Sequence, residues 1–287
     1  MKPPNPWEIP GHLSLSKGNG GMDKLCVQTP WSSAEIYLHG AHVTHFQKKG
    51  EPALLFLSEK SQFTPDQPIR GGIPIIFPWF GPRDGLPASG FARRTLWEIQ
   101  ETRLETNHSV RIYLKLPTLE FFEVDYFITV GETLTLEMRI KNHADKDFDY
   151  ENCLHTYFKV SDINTIRIAG LRNARYDDKV TGSGAIETAE VLKVDREVDR
   201  VYFDNTANIT IQDPGFDRLI HIKKSGSNST VVWNPWISKS KHLSDLSDHD
   251  YLTMLCVESG NVTKNKVSLP SEKFAVLKAE YSTTPLG

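Results

Sequence analysis

The sequence predicts an all-β protein, a sandwich or barrel of many short strands with few and short helices. Three observations lead there. Apolar and polar residues alternate with period two in one segment after another. Strand-like segments recur about every ten residues, set apart by turn residues. Strands do not alternate with long amphipathic helices, the mark of βαβ units.

Arg111–Leu116 and Phe121–Val130 are rich in β-branched and aromatic residues and read as strands. Thr133–Ile140, TLTLEMRI, gives the clearest pattern: Leu134, Leu136, Met138 and Ile140 share one face, and Thr133, Thr135, Glu137 and Arg139 share the other. Thr165–Ile168, Asn208–Gln212, Leu219–Lys223, Thr230–Trp233, Leu252–Val257 and Phe274–Tyr281 read alike. Ser238–Leu246 suggests a short turn of helix, and Asp177–Glu187, rich in Gly, Ser and Asp, reads as a loop. With no internal repeat and no low-complexity linker, the 287 residues divide into an N-terminal extension, 1–24, and a single domain, 25–287.

Hydrophobic residues make up 39% of the chain and charged residues 24%, a balance that allows a sizeable core. The net charge of −3 gives no general attraction to nucleic acid or to an anionic membrane, so an anionic ligand needs a local cluster of arginines. Cys26, Cys153 and Cys256 are odd in number and far apart, which fits neither a disulfide framework nor a zinc pattern. Cys153 and Cys256 sit in apolar runs and read as small buried thiols, as expected of a reducing compartment. The start, MKPPNPWEIPGHL, has prolines where a secretory signal needs an apolar run, and no apolar run reaches membrane-spanning length. The N-x-S/T triplets at Asn107, Asn208, Asn228 and Asn261 therefore carry little weight, and the cytoplasm is the expected location.

Four segments can carry chemistry. Arg70–Pro82, RGGIPIIFPWFGP, fits neither a regular strand nor a helix: Gly71 and Gly72 permit close backbone approach, and Pro74, Pro78 and Pro82 stiffen the path. It is either a structural arch or a rigid loop presenting Arg70 to a ligand. Ser89–Arg94, SGFARR, places Arg93 and Arg94 after a glycine turn; Arg70 with an arginine from this segment forms a fork suited to phosphate. In Asn152–Val160, NCLHTYFKV, alternation puts Leu154, Thr156 and Phe158 on one face and Cys153, His155 and Tyr157 on the other. His155 is then a hydrogen-bonded core histidine or a general acid. Glu258 ends an apolar strand in MLCVESGN, at a place where a sandwich exposes functional groups, and with His155 it makes an acid/base couple.

Two runs invite a metal reading, the first disfavoured by its spacing and the second by the polar loop it lies in. In His39-x-x-His42-x-x-His45 a strand turns His42 away from the other two, so the three do not converge. The surrounding YLHGAHVTHF reads as a strand with a glycine bend. His242, Asp245, Asp248 and His249 lie in a polar loop and read as surface.

These segments together resemble the glucose-6-phosphate 1-epimerase branch of the aldose 1-epimerase, or galactose mutarotase-like, superfamily. RGGIPIIFPWFGP, GFAR, LHTYFKV, EVDRVY at 197–202, VVWNPW at 231–236 and MLCVESGNV at 254–262 occur in the family's order, over about residues 25 to 282. The resemblance implies a galactose mutarotase-like β-supersandwich of twisted antiparallel sheets, with its site in a cleft and with no metal and no organic cofactor. It implies His155 as catalytic acid, Glu258 as base, Arg70 and Arg93 as phosphate-binding residues, and Asp199 as a substrate contact. The expected partner is a small sugar phosphate, with no nucleic acid or membrane, and the expected state is a monomer. One departure stands out: the family usually has Gln-His before GFAR, whereas this chain has Ala88 and Ser89. Ser89 is carried as a substrate-binding donor of shorter reach and no charge.

Two other functions remain open on the residues alone. A non-catalytic sugar-binding protein on the same sandwich fits the change at Ala88 and Ser89, but not the presence of both His155 and Glu258. A glycan-cleaving enzyme normally needs two carboxylates flanking the bond, and this sequence offers one carboxylate with one histidine.

Overall fold

The alternating segments pair into two large antiparallel sheets. The structure is a computed structural model, and it describes residues 5–117 and 121–287. One sheet runs Val191–Leu192, Arg167–Ala169, Ile209–Asp213, Arg218–Ser225, Phe274–Pro285, Leu134–Asn142, Phe122–Val130, Val110–Lys115, Glu98–Leu104. The other runs Ser183–Ile186, Arg175–Asp178, Val198–Phe203, Ser229–Asn234, Met254–Asn261, Asn152–Leu154, Ile75–Ile76, with Tyr157–Lys159 also pairing with Met254–Asn261. A smaller sheet joins Leu13–Lys17, Asp23–Gln28, Ser32–Tyr37 and His42–Lys48. Leu13–Lys17 lies within the segment set apart above as an extension; it pairs with Asp23–Gln28, and Leu13 is buried in the main core.

Alternation builds that core. Leu134, Leu136, Met138 and Ile140 are fully buried on the inner face of the first sheet, as the TLTLEMRI pattern requires. Leu154, Phe158, Val232, Leu255 and Val257 enter the same core from the second sheet. Met254–Asn261 is buried along its whole length. Its neighbours flank it on both sides, one face packs on the core, and the other face is covered by the site residues.

Three readings need correction. Glu258 does not end its strand: Met254–Asn261 runs past it, and Ser259, Gly260 and Asn261 stay paired in the sheet. Asp177–Glu187 is not a plain loop: Arg175–Asp178 and Ser183–Ile186 form a hairpin at the edge of the second sheet. Ser183–Ile186 is exposed throughout, so no apolar face marks it as a strand. The helix near Ser238–Leu246 is Trp236–Ser240, which begins directly after Pro235 and ends sooner. In YLHGAHVTHF the bend at Gly40 separates two strands, Ser32–Tyr37 and His42–Lys48. No helix among the described residues is long and apolar enough to cross a membrane.

Candidate active site

The site is built on the face of the second sheet turned away from the main core. On Met254–Asn261, Leu255 and Val257 point into the core, so Cys256 and Glu258 point the other way. His155 lies between the short strands Asn152–Leu154 and Tyr157–Lys159, and both pair with the Glu258 strand. The result is a direct contact: His155 Nε2 stands 3.2 Å from Glu258 Oε1. The two residues are separated by a hundred positions in sequence, and the β-ladder brings them together.

The Arg70–Pro82 segment is stitched to the same place. The Tyr157 N–H donates to the Gly72 carbonyl at 2.9 Å, and the His155 N–H donates to that of Pro74 at 3.0 Å. Both glycines are required by this close approach. A Cβ on Gly71 would lie 2.5 Å from the Phe56 carbonyl oxygen, and one on Gly72 2.3 Å from that of Val43. His42 Nε2 donates to the Gly71 carbonyl at 2.7 Å. Burial lowers the pKa of His42 to about 3, so it is a neutral strut. The arch delivers Arg70 to Tyr157: Nη1 donates to the Tyr157 hydroxyl at 3.0 Å, and Nη2 meets Asp245 at 3.0 Å.

Arg93 reaches the site from a 3-10 turn, Ala92–Arg94, and one of its Nη atoms donates to the Ala88 carbonyl at 2.7 Å. The loop before it closes on itself. Ser89 Oγ accepts from the Gly81 N–H at 3.1 Å, the Ser89 N–H donates to the Gly81 carbonyl at 2.7 Å, and Trp79 Nε1 donates to the Pro87 carbonyl at 2.9 Å. Ser89 therefore binds its own loop through its oxygen, and its hydroxyl proton is left to another acceptor. Asp199 sits opposite Trp233 on the neighbouring strand, and its carboxylate lies 3.5 Å from Lys239.

Three buried polar atoms at this face have no protein partner among the described residues: His155 Nδ1, Arg70 Nε and Arg93 Nε. A buried polar group without a partner costs free energy, so the arrangement fits a ligand that brings its own polar atoms. Electrostatics divide the pair. Burial, with Asp199 adding to it, pushes the Glu258 carboxyl up to about 8. Burial first, then Arg93 and Arg70, hold His155 well below the ordinary imidazole range. Near neutral pH these shifts favour a protonated carboxyl and a neutral imidazole. Among the described residues, no group of three His, Cys, Asp or Glu side chains is arranged to hold a metal ion.

The structure thus brings His155, Glu258, Arg70 and Arg93 into one electrostatic unit, with Asp199 on its border. Three participants were not assigned from the sequence. Tyr157 stacks on His155 with ring centroids 4.8 Å apart and planes 11° from parallel. Its signal was the alternation that put it on the His155 face. Cys153, on that same face, reaches Glu258 Oε2 at 3.4 Å. Asp245, read as surface, is the ion-pair partner of Arg70, and nothing local in the sequence marks it.

Residues 23–282 match the family described as Aldose 1-epimerase. A protein of Cenchrus ciliaris named "Putative glucose-6-phosphate 1-epimerase" is 34% identical over 278 residues, covering 91% of this chain and 84% of that one. A protein of the same name from Escherichia coli (strain K12) is 31% identical over 274 residues, covering 90% and 91%. Among solved structures, a "putative mutarotase" from Salmonella typhimurium superposes with a TM-score of 0.90 at 29% identity, covering 97% of this chain and 96% of that one. A galactose mutarotase-like protein from Clostridium acetobutylicum superposes with a TM-score of 0.76 at 12% identity, covering 95% and 98%, a likeness of fold alone.

Proposed function

The chain belongs to the aldose 1-epimerase family, and from that premise we propose that it interconverts the α and β anomers of a hexose 6-phosphate, with glucose 6-phosphate first among them. The observation that carries this reading is the contact of His155 Nε2 with Glu258 Oε1 at 3.2 Å, beside two partly buried arginines.

Ring opening needs one proton taken from the C1 hydroxyl and one given to the ring oxygen. Glu258 takes the first and His155 gives the second. The C1–O5 bond breaks, an open-chain aldehyde forms, and rotation about C1–C2 presents the other carbonyl face. Reclosure reverses both transfers. Each transfer by a placed side chain is worth ~10²–10⁴-fold. Near neutral pH the couple holds one proton, favoured on Glu258, and catalysis needs it on His155. A shift across the 3.2 Å contact converts the neutral pair to the working ion pair. A sugar then takes the place of that direct contact, with its C1 hydroxyl at Glu258 and its ring oxygen at His155, and this requires the two side chains to part.

Arg70 and Arg93 hold the phosphate, and that remote binding energy positions the reacting carbon. Asp199 and the Ser89 hydroxyl contact the sugar. The protein works in the cytoplasm as a monomer. A non-catalytic sugar binder has no use for a buried carboxyl and imidazole at contact distance.

The test is NMR exchange spectroscopy on glucose 6-phosphate, free glucose and galactose 6-phosphate, with and without the protein. Catalysed exchange of glucose 6-phosphate is expected, with loss of about 10²-fold or more in Glu258→Gln and in His155→Ala. Near-normal exchange in either folded variant would defeat the mechanism.

A further inference from the structure

We propose that Cys153 is a positioning residue of this site: its thiol donates a hydrogen bond to Glu258 Oε2, fixing the carboxylate so that Oε1 faces His155 and the sugar, and steadying the ionised base. The proposal rests on the catalytic reading of Glu258.

The geometry assigns one partner to each carboxylate oxygen. Oε1 meets His155 Nε2 at 3.2 Å, and Oε2 meets Cys153 Sγ at 3.4 Å. A thiol is a weak donor in water, but this one is fully buried among Ile76, Val201, Phe203, Val231 and Val262, where water does not compete. Burial, and the carboxylate itself, push ionisation of the Cys153 thiol well up, so the sulfur keeps its hydrogen and has it to donate to the carboxylate. The backbone makes room for the contact. Gly260 pairs across the ladder from Cys153, and a Cβ at 260 would lie 2.8 Å from both Cα and Cβ of Cys153.

Other charged or titratable groups face Glu258 from the surrounding elements. Lys179 and Arg93 favour its ionised form, and Asp199 opposes it. The carboxylate in turn acts on Tyr157 and Cys256. Only Cys153 and His155 touch its oxygens among the described residues.

Removing the donor leaves Glu258 holding its proton more tightly. Two consequences are linked. The neutral pair gains over the working ion pair, so the rate plateau near neutral pH falls. The alkaline limb, at which the pair loses its last proton, moves up by the same factor. Above that limb the two effects cancel and the wild-type and variant rates converge. A packing defect lowers the rate at every pH and gives no such convergence.

The experiment is the pH profile of kcat and kcat/KM for glucose 6-phosphate exchange in the full chain, with Cys153→Ala and Cys153→Ser. For Cys153→Ala we expect a neutral-pH rate lowered about three- to tenfold and an alkaline limb raised by about half to one unit, with KM changed less than twofold. Cys153→Ser keeps an O–H donor and should recover at least part of both shifts. Parallel pH profiles for wild type and Cys153→Ala, or the same loss in Ala and Ser variants at every pH, would overturn the proposal. Full activity in Glu258→Gln would instead remove the catalytic reading on which it rests, and the two failures are separable.

Discussion

The ring of Tyr157 lies flat against that of His155, with centroids 4.8 Å apart and planes at 11°, while its hydroxyl accepts a hydrogen bond from Arg70 at 3.0 Å. One side chain therefore links the imidazole proposed as the acid to the Arg70 guanidinium proposed to bind phosphate. Trp233 closes the stack edge-on, 6.1 Å from the His155 ring. Tyr157→Phe keeps the stacked ring and removes only the acceptor on Arg70. We expect KM for glucose 6-phosphate to rise roughly three- to tenfold while kcat stays within twofold. Steady-state exchange kinetics decide it: a fall in kcat with unchanged KM would mean that the hydroxyl serves the chemistry and not the anchor.

Arg93 is held from one side by the Ala88 carbonyl, and its Nε is buried without a partner among the described residues. In the proposed complex the phosphate of the substrate supplies that partner. Arg93→Ala should raise KM for glucose 6-phosphate at least tenfold more than for free glucose. Equal effects on the two sugars would remove the phosphate from this arginine.

The sequence made much of this legible, for physical reasons that differ by element. TLTLEMRI revealed a half-buried strand because one face meets the core and the other meets water. Ser183–Ile186 concealed itself because neither of its faces is buried. His155 and Tyr157 shared a predicted face and share a real one. Asp245 was invisible as a site residue because its bond to Arg70 spans a long stretch of chain and no local pattern encodes it. Cys153 read as an inert buried thiol, which is true of its surroundings. What composition cannot convey is that one atom of that apolar cluster borders a carboxylate.

A bound phosphate should do more than anchor. After burial, the two guanidinium groups are what hold the His155 imidazole in its neutral form. A dianion lying on them offsets that push and favours the protonated acid. Xylose, which ends at C5, leaves the phosphate position open. Saturating phosphite is expected to accelerate its anomer exchange on the enzyme about tenfold, the equivalent of one pKa unit, and Arg93→Ala should abolish the acceleration. Phosphite that competes with glucose 6-phosphate yet leaves xylose exchange unchanged would confine the arginines to binding.

The displaced titrations also fix how stability depends on pH, and the signs can be separated. Glu258 titrates at about 8 when folded, above its ordinary value of 4.5. The native state therefore binds the extra proton, and this contribution to stability is complete below about 4.5, declines as pH rises, and is lost above about 8. His155 acts in the opposite sense: its folded value lies below 6.5, so stability is gained as pH rises towards 6.5 and is level above it. Lys224, lowered to about 7 by burial, also gains with rising pH above 7, but it is common to wild type and variant and drops out of a difference. Between pH 6.5 and 8 the difference between wild type and Glu258→Gln isolates the carboxyl. The variant should become relatively more stable across that window, by up to about 1.4 kcal/mol per pH unit. Urea denaturation of both proteins from pH 6 to 9 measures it. A constant difference over the whole range would mean that Glu258 ionises in the folded protein as freely as in water, and that it is not the proton-holding partner of His155.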